Sequence, residues 1–537
     1  MTDSTESTGQ ESSTAASETP KRTARFAWPA TATKRDEETL LGTADAVWLA
    51  PVLAVGTAVY LLYLATHQYP AFGAGLYMLI AEEIVGHGYA LPEWIPYYTA
   101  RGVPFAYPPL MFYVAAVITD LTGVDPFTYS RFLPGLVTIA YLVPVYLLVR
   151  DLQGSRAQAT AAATLIAVNP QILKWHISAG GIVRAPAVLF ALCGIYTGYH
   201  MFRSGERRWV VASLGFFLLT VLTHPTYTLF FVLTYLLTWL TLDRSVAGLL
   251  RGAVVGVGAV ILAAPWWIHV VSSFGPTVFF AASGTHGGIG GGLYEFVSGL
   301  FPWAIVPLLG AVYLLVSGHV FLPLWYLVAE FAVRQSRFAY LVGLIVIVAA
   351  AVELGRRRLP RTVAPRRFAP VFVAFLLVAA PAGIGYLAYD MTDEVGTETP
   401  SFVDEEDVEA MEWAASQTRP DATFVVMGDA AEWFPAITHR TILIGPWGVE
   451  WVSSEAYYDQ LDAYTNISAC SAESCVNRWL AESGSDPDYL YVPRGGYTIR
   501  GDYEVQYGSL ERALRLSDRY EQVFANDGVV IFRVKRD

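Results

Sequence analysis

The stretch AVWLAPVLAVGTAVYLLYLAT, residues 46 to 66, decides the fold class. It carries no charge and is as long as the roughly 20 apolar residues that a helix needs to cross a hydrocarbon core. Further apolar runs follow near 130–149, 157–170, 185–202, 209–223, 226–242, 252–271, 295–316, 319–333, 338–353 and 369–389. Together they predict a polytopic α-helical membrane protein with about 11 transmembrane helices. The run Leu110 to Leu121 is short enough to lie in the interface or re-enter. Composition agrees: 54% of the residues are hydrophobic, 15% are charged and the mean hydropathy is +0.41, too apolar for a soluble chain of 537 residues.

Working outward, residues 1–43 are rich in Ser, Thr, Glu and Ala and lack an apolar segment of their own, so they read as a disordered tail rather than a signal peptide. Basic loops at Lys21 to Arg35, Arg150 to Arg156, Arg203 to Arg208 and Arg356 to Arg367 belong on the cytoplasmic side. That puts the N-terminus inside and a long loop, 67–128, outside. Residues 44–390 form the transmembrane domain, and the odd number of spans places 391–537 outside the cell. Arg334 and Arg337 interrupt apolar sequence on the outer side, against the charge rule, and mark a functional site.

The net charge of −12 is concentrated after residue 390, and Lys is scarce. An acidic, Lys-poor surface stays hydrated at high salt, which suggests a halophilic source. Residues 391–537 read as a soluble α/β domain, with helices over Glu405 to Ser416 and Leu510 to Tyr520 and strands over Thr423 to Met427 and Val529 to Val534. Cys193 lies in an apolar run, whereas Cys470 and Cys475 sit close together in a polar segment, either as a disulfide or as two unpaired thiols. The short basic clusters beside apolar runs exclude nucleic acid as a partner. The absence of a phosphate-loop motif excludes an NTP-driven pump.

The loop after the first span reads Tyr69-Pro-Ala-Phe-Gly-Ala-Gly-Leu-Tyr77-Met-Leu-Ile-Ala81-Glu-Glu-Ile-Val-Gly-His-Gly88, then Phe105-Ala-Tyr107-Pro108-Pro109-Leu110, with Tyr113 and Arg131 beyond. Leu222-Thr-His224-Pro225 and Ala264-Pro265-Trp266-Trp267 follow. In this order the motifs resemble the GT-C superfamily of membrane glycosyltransferases, of the protein O-mannosyltransferase and aminoarabinose transferase type. The resemblance implies an acidic residue in the first outer loop, shortly before a Tyr, acting as general base toward the acceptor. Counting back from Tyr77, that position falls at Gly73 or Ala74, and neither ionises. Glu82 and Glu83 are the nearest carboxylates and the candidate catalytic pair; a solvated pair at the interface is the other reading.

Outer arginines suit the phosphate of a lipid carrier, because a guanidinium grips phosphate oxygens bidentately. Arg334 and Arg337, at i and i+3, are candidates, as is Arg184 after the flexible Ala179-Gly-Gly run. Tyr77, Tyr107, His224, Trp266 and His269 are candidates for the substrate cavity. The run His286 to Gly292 reads as a mobile outer loop. The segment from Asp429 to Trp451 gathers aromatics and carboxylates, as sugar-binding surfaces do or as a packing face would. No cofactor is evident, and the sequence leaves a divalent cation open.

The expected function is transfer of a sugar from a polyprenyl-phosphate donor to a glycan, lipid or protein acceptor outside the membrane. The alternative is a non-catalytic relative that binds a lipid-linked glycan or scaffolds an assembly. A transporter fits less well, since no inverted repeat and no deep acidic residues stand in the later spans.

Overall fold

The computed structural model describes residues 40–285, 302–333, 335–358, 368–393 and 395–536. Arg334, the run His286 to Gly292 and residues 1–39 of the expected tail lie outside them. The protein is a polytopic helical membrane protein with a sheet-containing C-terminal domain. Its early helices are α1 (Thr43–Thr66), α2 (Gly75–Gly86), α3 (Leu110–Thr122), α4 (Pro126–Gln153), α5 (Arg156–Ala167), α6 (Pro170–His176), α7 (Gly181–Ser204), α8 (Arg207–Val221) and α9 (Pro225–Thr238).

Among the described residues six helices are long and apolar enough to span a membrane. They are Thr43–Thr66, Pro126–Gln153, Gly181–Ser204, Pro225–Asp243, Ser336–Arg357 and Phe372–Asp390. The helices Val246–Leu262 and Ala264–Phe274 meet at a 56° bend and make a seventh if they are one broken span. The expected runs near 157–170 and 209–223 form helices of only 12 and 15 residues, which by length alone are shorter than a perpendicular crossing.

Capping residues set where the helices begin. Asp125 accepts from the Thr128 amide at 3.0 Å with Pro126 in the first turn of α4, and Asn169 does the same for α6 with Pro170. His224 plays this part for α9, its Nδ1 3.3 Å from the Thr226 amide. At the end of the bundle away from the C-terminal domain, Asp45 is buried between Arg150 and Arg156, at 3.1 and 2.7 Å, tying α1 to α4 and α5. Removing one partner would strand a buried charge, so these arginines hold the bundle together as well as marking a loop.

The C-terminal domain is built on a five-stranded sheet in the order β4-β3-β5-β9-β8. Its strands are β3 (Thr423–Val426), β4 (Thr441–Ile442), β5 (Tyr489–Pro493), β8 (Tyr520–Ala525) and β9 (Val529–Val534). β4, β3 and β5 run parallel, and β9 is antiparallel to both β5 and β8. A separate hairpin pairs β6 (Gly495–Ile499) with β7 (Asp502–Gln506). The loop after α1 carries its own two-residue pair, β1 (Trp94–Ile95) with β2 (Val103–Pro104).

That loop completes the sheet. Tyr97 O accepts from the Ile442 amide at 2.9 Å and Ile442 O accepts from the Thr99 amide at 3.0 Å, so residues 97–99 extend the β4 edge. Ala71 bridges Ser401, and the Phe72 amide donates to Pro400 O at 3.0 Å. Trp433, fully buried, donates from Nε1 to Phe72 O at 3.2 Å and packs on Phe127, with ring centroids 4.7 Å apart. One hydrophobic core runs through Leu79, Ile84 and Phe112 of the loop helices, Ile182 and Val183 of α7, and Phe424, Trp433 and Ile531 of the C-terminal domain. Burial on that scale fixes the domain against the loop instead of leaving it tethered.

Candidate active site

At the start of α2 the chain passes Gly73 and Gly75. Neither has a positive φ, so their backbones would accept an ordinary L-residue. What they lack is room. A Cβ at Gly73 would stand 2.0 Å from the Glu432 carboxyl carbon, and one at Gly75 would stand 2.0 Å from the Glu432 carbonyl oxygen. The Tyr98 hydroxyl donates to that same carbonyl. Glu432 closes a short 3-10 turn, Asp429–Glu432. The turn is fixed by Asp429, whose carboxylate accepts from Tyr464 Oη at 2.7 Å and from the amides of Arg500 and Gly501 at 2.9 and 2.7 Å.

Burial, with the Asp429 charge beside it, pushes the Glu432 carboxyl up to about 7, against the pull of Arg500 and Arg184 and a hydrogen bond from Trp447. Glu450 is its neighbour in kind. Burial raises it to about 7 as well, although backbone amides, its own and that of Gly448, and the Arg500 charge favour its ionised form. Its Oε2 is buried without a hydrogen-bond partner among the described residues. Two carboxyls raised by burial, both within the field of Arg500 and of the Tyr77 hydroxyl, are groups suited to proton transfer.

Arg184, within the field of Glu432, and Arg337 come from the membrane helices. Both guanidiniums lie over the Trp175 ring, at 5.0 and 5.6 Å from its centroid. Arg337 is also 5.1 Å from the Tyr227 ring and is buried, 5% exposed, with Nε unpartnered. Neither arginine forms an ion pair with a carboxylate within 4.0 Å among the described residues, although the fields of Arg184 and Glu432 reach each other. A buried and a partly buried guanidinium without a carboxylate in contact are an arrangement suited to an anion. His176 Nε2, 2.6 Å from Tyr227 Oη, steadies this wall.

An aromatic wall joins the two sides. The Tyr77 and Tyr107 rings are 5.4 Å apart, tilted against each other. Tyr107 stands edge-on to His224 at 5.7 Å and to Trp451 at 5.8 Å, and His224 is 5.0 Å from Tyr227. Tyr77, Tyr107, Arg184, Glu432 and Glu450 are all partly exposed. Among the described residues no three His, Cys, Asp or Glu side chains group as a metal site.

No family model and no curated protein matches the sequence. Solved structures do match the fold. The arabinofuranosyltransferase AftD from Mycobacteria aligns with a TM-score of 0.56 at 16% identity, over 94% of this chain and 41% of its own, so this chain spans about two fifths of that protein. The Archaeoglobus fulgidus oligosaccharyltransferase gives 0.54 at 14% identity, over 90% and 80%. ArnT from Cupriavidus metallidurans in the apo state gives 0.51 at 15% identity, over 91% and 98%. The protein has the GT-C fold.

Within this GT-C fold the structure brings together Tyr77, Tyr107, His224, Arg184 and Arg337 of the residues singled out in the sequence. It places others elsewhere. Glu82 is 56% exposed and pairs with His439 at 3.0 Å, and Glu83 lies 3.6 Å from His87 on the same surface. Glu82 contacts the C-terminal domain, whereas Glu83 is partly buried, and burial raises its carboxyl. His269 Nε2 lies 3.5 Å from Pro92 O and anchors the loop. Trp266 packs edge-on to Phe279 at 5.7 Å, in a small cluster with Trp451. Cys470 and Cys475 are joined as a disulfide. Glu432, Glu450 and Trp175 were not named as site residues, although both glutamates lie in the Asp429 to Trp451 segment noted for its carboxylates.

Proposed function

We propose that the protein transfers a sugar from a polyprenyl-phosphate donor to a glycan, lipid or protein acceptor on the outer face of the membrane. The observation that carries this reading is the pair Arg184 and Arg337, converging on Trp175 without a carboxylate in contact, with Arg184 within the field of Glu432, whose carboxyl burial pushes up to about 7. The archaeal oligosaccharyltransferase AglB, which shares the fold at a TM-score of 0.50, has been solved in complex with a dolichol-phosphate and an inhibitory peptide. A donor of that kind brings its own driving force, because its glycosyl phosphate bond is activated.

The chemistry follows from charge placement. The acceptor hydroxyl attacks the anomeric carbon and loses its proton to a carboxylate, while the bond from that carbon to the phosphate oxygen breaks. The lipid phosphate leaves with the bonding electrons, and the fixed guanidiniums stabilise the charge that develops on it. Tyr77 and Tyr107 offer hydroxyls and ring faces to the sugar between the two poles.

A non-catalytic lipid-glycan binder is the second reading, favoured by the absence of an acid at Gly73 and Ala74. Competition by polyprenyl phosphate in the purified protein tests the anion site. Wild type should bind it saturably, and Arg337→Gln should weaken binding roughly 10- to 100-fold, the effect of one charged hydrogen-bonding partner. Equal affinity in the two proteins sinks the assignment. Turnover then separates enzyme from binder.

A further inference from the structure

Resting on the transferase reading, we infer that the catalytic base is Glu432, so that the C-terminal domain supplies a reacting group to the membrane domain's cavity. Three independent features of the fold lead there. The first is shape: Gly73 and Gly75 are glycines for space and not for backbone conformation, and the space they leave is filled by the Glu432 side chain and carbonyl. A side chain at residue 73 would occupy the place of that carboxyl. The loop therefore gives up its own side chain at the point where the domain inserts one.

The second is rigidity. Asp429 is 2% exposed and spends its oxygens on Tyr464, Arg500 and Gly501, which leaves Glu432 at the end of a locked turn. Tyr98 clamps the backbone of Glu432 itself from the loop side. A group held by both units has the fixed aim that proton transfer requires.

The third is surroundings. Glu432 has no salt-bridge partner within 4.0 Å among the described residues, while the charges of Arg500 and Arg184 reach it. The charge of Arg184 reaches Glu432, Tyr77 and Tyr107 alike, which puts the base and the leaving-group cation within one another's field. Burial and the neighbouring Asp429 keep the carboxyl's affinity for a proton high, in the range where it can both take and release one. In the reaction the acceptor O–H proton passes to a Glu432 oxygen as the new glycosidic bond forms and the anomeric carbon–phosphate bond breaks. The proton returns to water after the product leaves. Glu450, also near Tyr77 and Tyr107, is left to accept hydrogen bonds from sugar hydroxyls.

The test is relocation. Full-length protein is assayed at high salt with a panel of radiolabelled polyprenyl-phosphate monosaccharides and total membrane acceptors, with polyprenyl-phosphate competition measured in parallel. Glu432→Gln, nearly isosteric, should lower transfer roughly 100-fold or more with lipid binding unchanged. It should also abolish the acidic limb of the pH–rate profile. Moving the carboxylate across, as Gly73→Asp with Glu432→Gly, should recover at least roughly tenfold over Glu432→Gly alone, within the span of a general-base effect. Wild-type transfer with a Glu432→Gln rate above a third of it overturns the inference and leaves the transferase reading intact. Saturable lipid binding with no wild-type transfer from any donor overturns the transferase reading and the inference with it.

Discussion

A carboxyl held near neutrality by burial destabilises the fold that holds it, and this gives a prediction measurable without any substrate. Glu432 rises from 4.5 to about 7 in the folded protein. The folded state therefore holds its proton more tightly than the unfolded state. Its stability contribution is fully present below about pH 4.5 and is lost as pH rises through 7. At about 1.4 kcal/mol per pH unit the loss approaches about 3 kcal/mol above pH 7. Glu432→Gln removes that penalty in a nearly isosteric side chain. At pH 8 the variant should be more stable than wild type by about 1–3 kcal/mol, a rise in melting temperature of roughly 5 °C for a domain of this size. At pH 4, below the unfolded value, the two should melt together. The assay is thermal unfolding of the full-length protein in detergent at high salt, followed by tryptophan fluorescence at both pH values. Equal melting at pH 8, or a less stable variant there, would refute the claim that burial strains this carboxyl. Glu450→Gln should behave similarly, since the same cause raises it.

Other consequences are as direct. The Glu82→Gln, Glu83→Gln double variant should retain transfer within about threefold of wild type, because Glu82 is exposed and paired with His439; surface pairs contribute about 1 kcal/mol or less. Trp433→Ala should destabilise the seat of the C-terminal domain by about 3–5 kcal/mol, seen as faster proteolysis between residues 391 and 403. Reducing Cys470–Cys475 should cost about 2 kcal/mol or less, since the bridge closes a loop of only five residues' separation. Gly73→Ala should depress activity while Glu432 is present, as a Cβ there would stand 2.0 Å from its carboxyl carbon.

Much of this architecture was legible in the chain. Long uncharged runs such as 46–66 admit no other solvent than lipid, and the order of loop motifs pointed to the GT-C fold. Arg337 stood out because it interrupts apolar sequence on the expected outer side, against the charge rule. The carboxylate end of the site was not legible. Periodicity and spacing report on neighbours within a few turns, whereas Tyr98 and Glu432 meet across 334 residues. Gly73 and Ala74 looked like a missing acid, and only the packing of the C-terminal domain shows what the empty position accommodates. Glu82 and Glu83 were nearest in sequence, but the α2 helix turns them toward the surface. The span count was blurred by short helices such as Arg156–Ala167, whose apolar composition does not reveal where they end.

The central claim is that the cavity between Arg184, Arg337 and the C-terminal carboxylates transfers a sugar from a lipid phosphate. It is tested most directly by incubating purified wild type with a radiolabelled polyprenyl-phosphate monosaccharide and total membrane acceptors, then following label into acceptor and free polyprenyl phosphate. The account predicts equal accumulation of both products, lost in Arg337→Gln. Donor that binds saturably yet is recovered intact, across the whole panel of sugars, contradicts it.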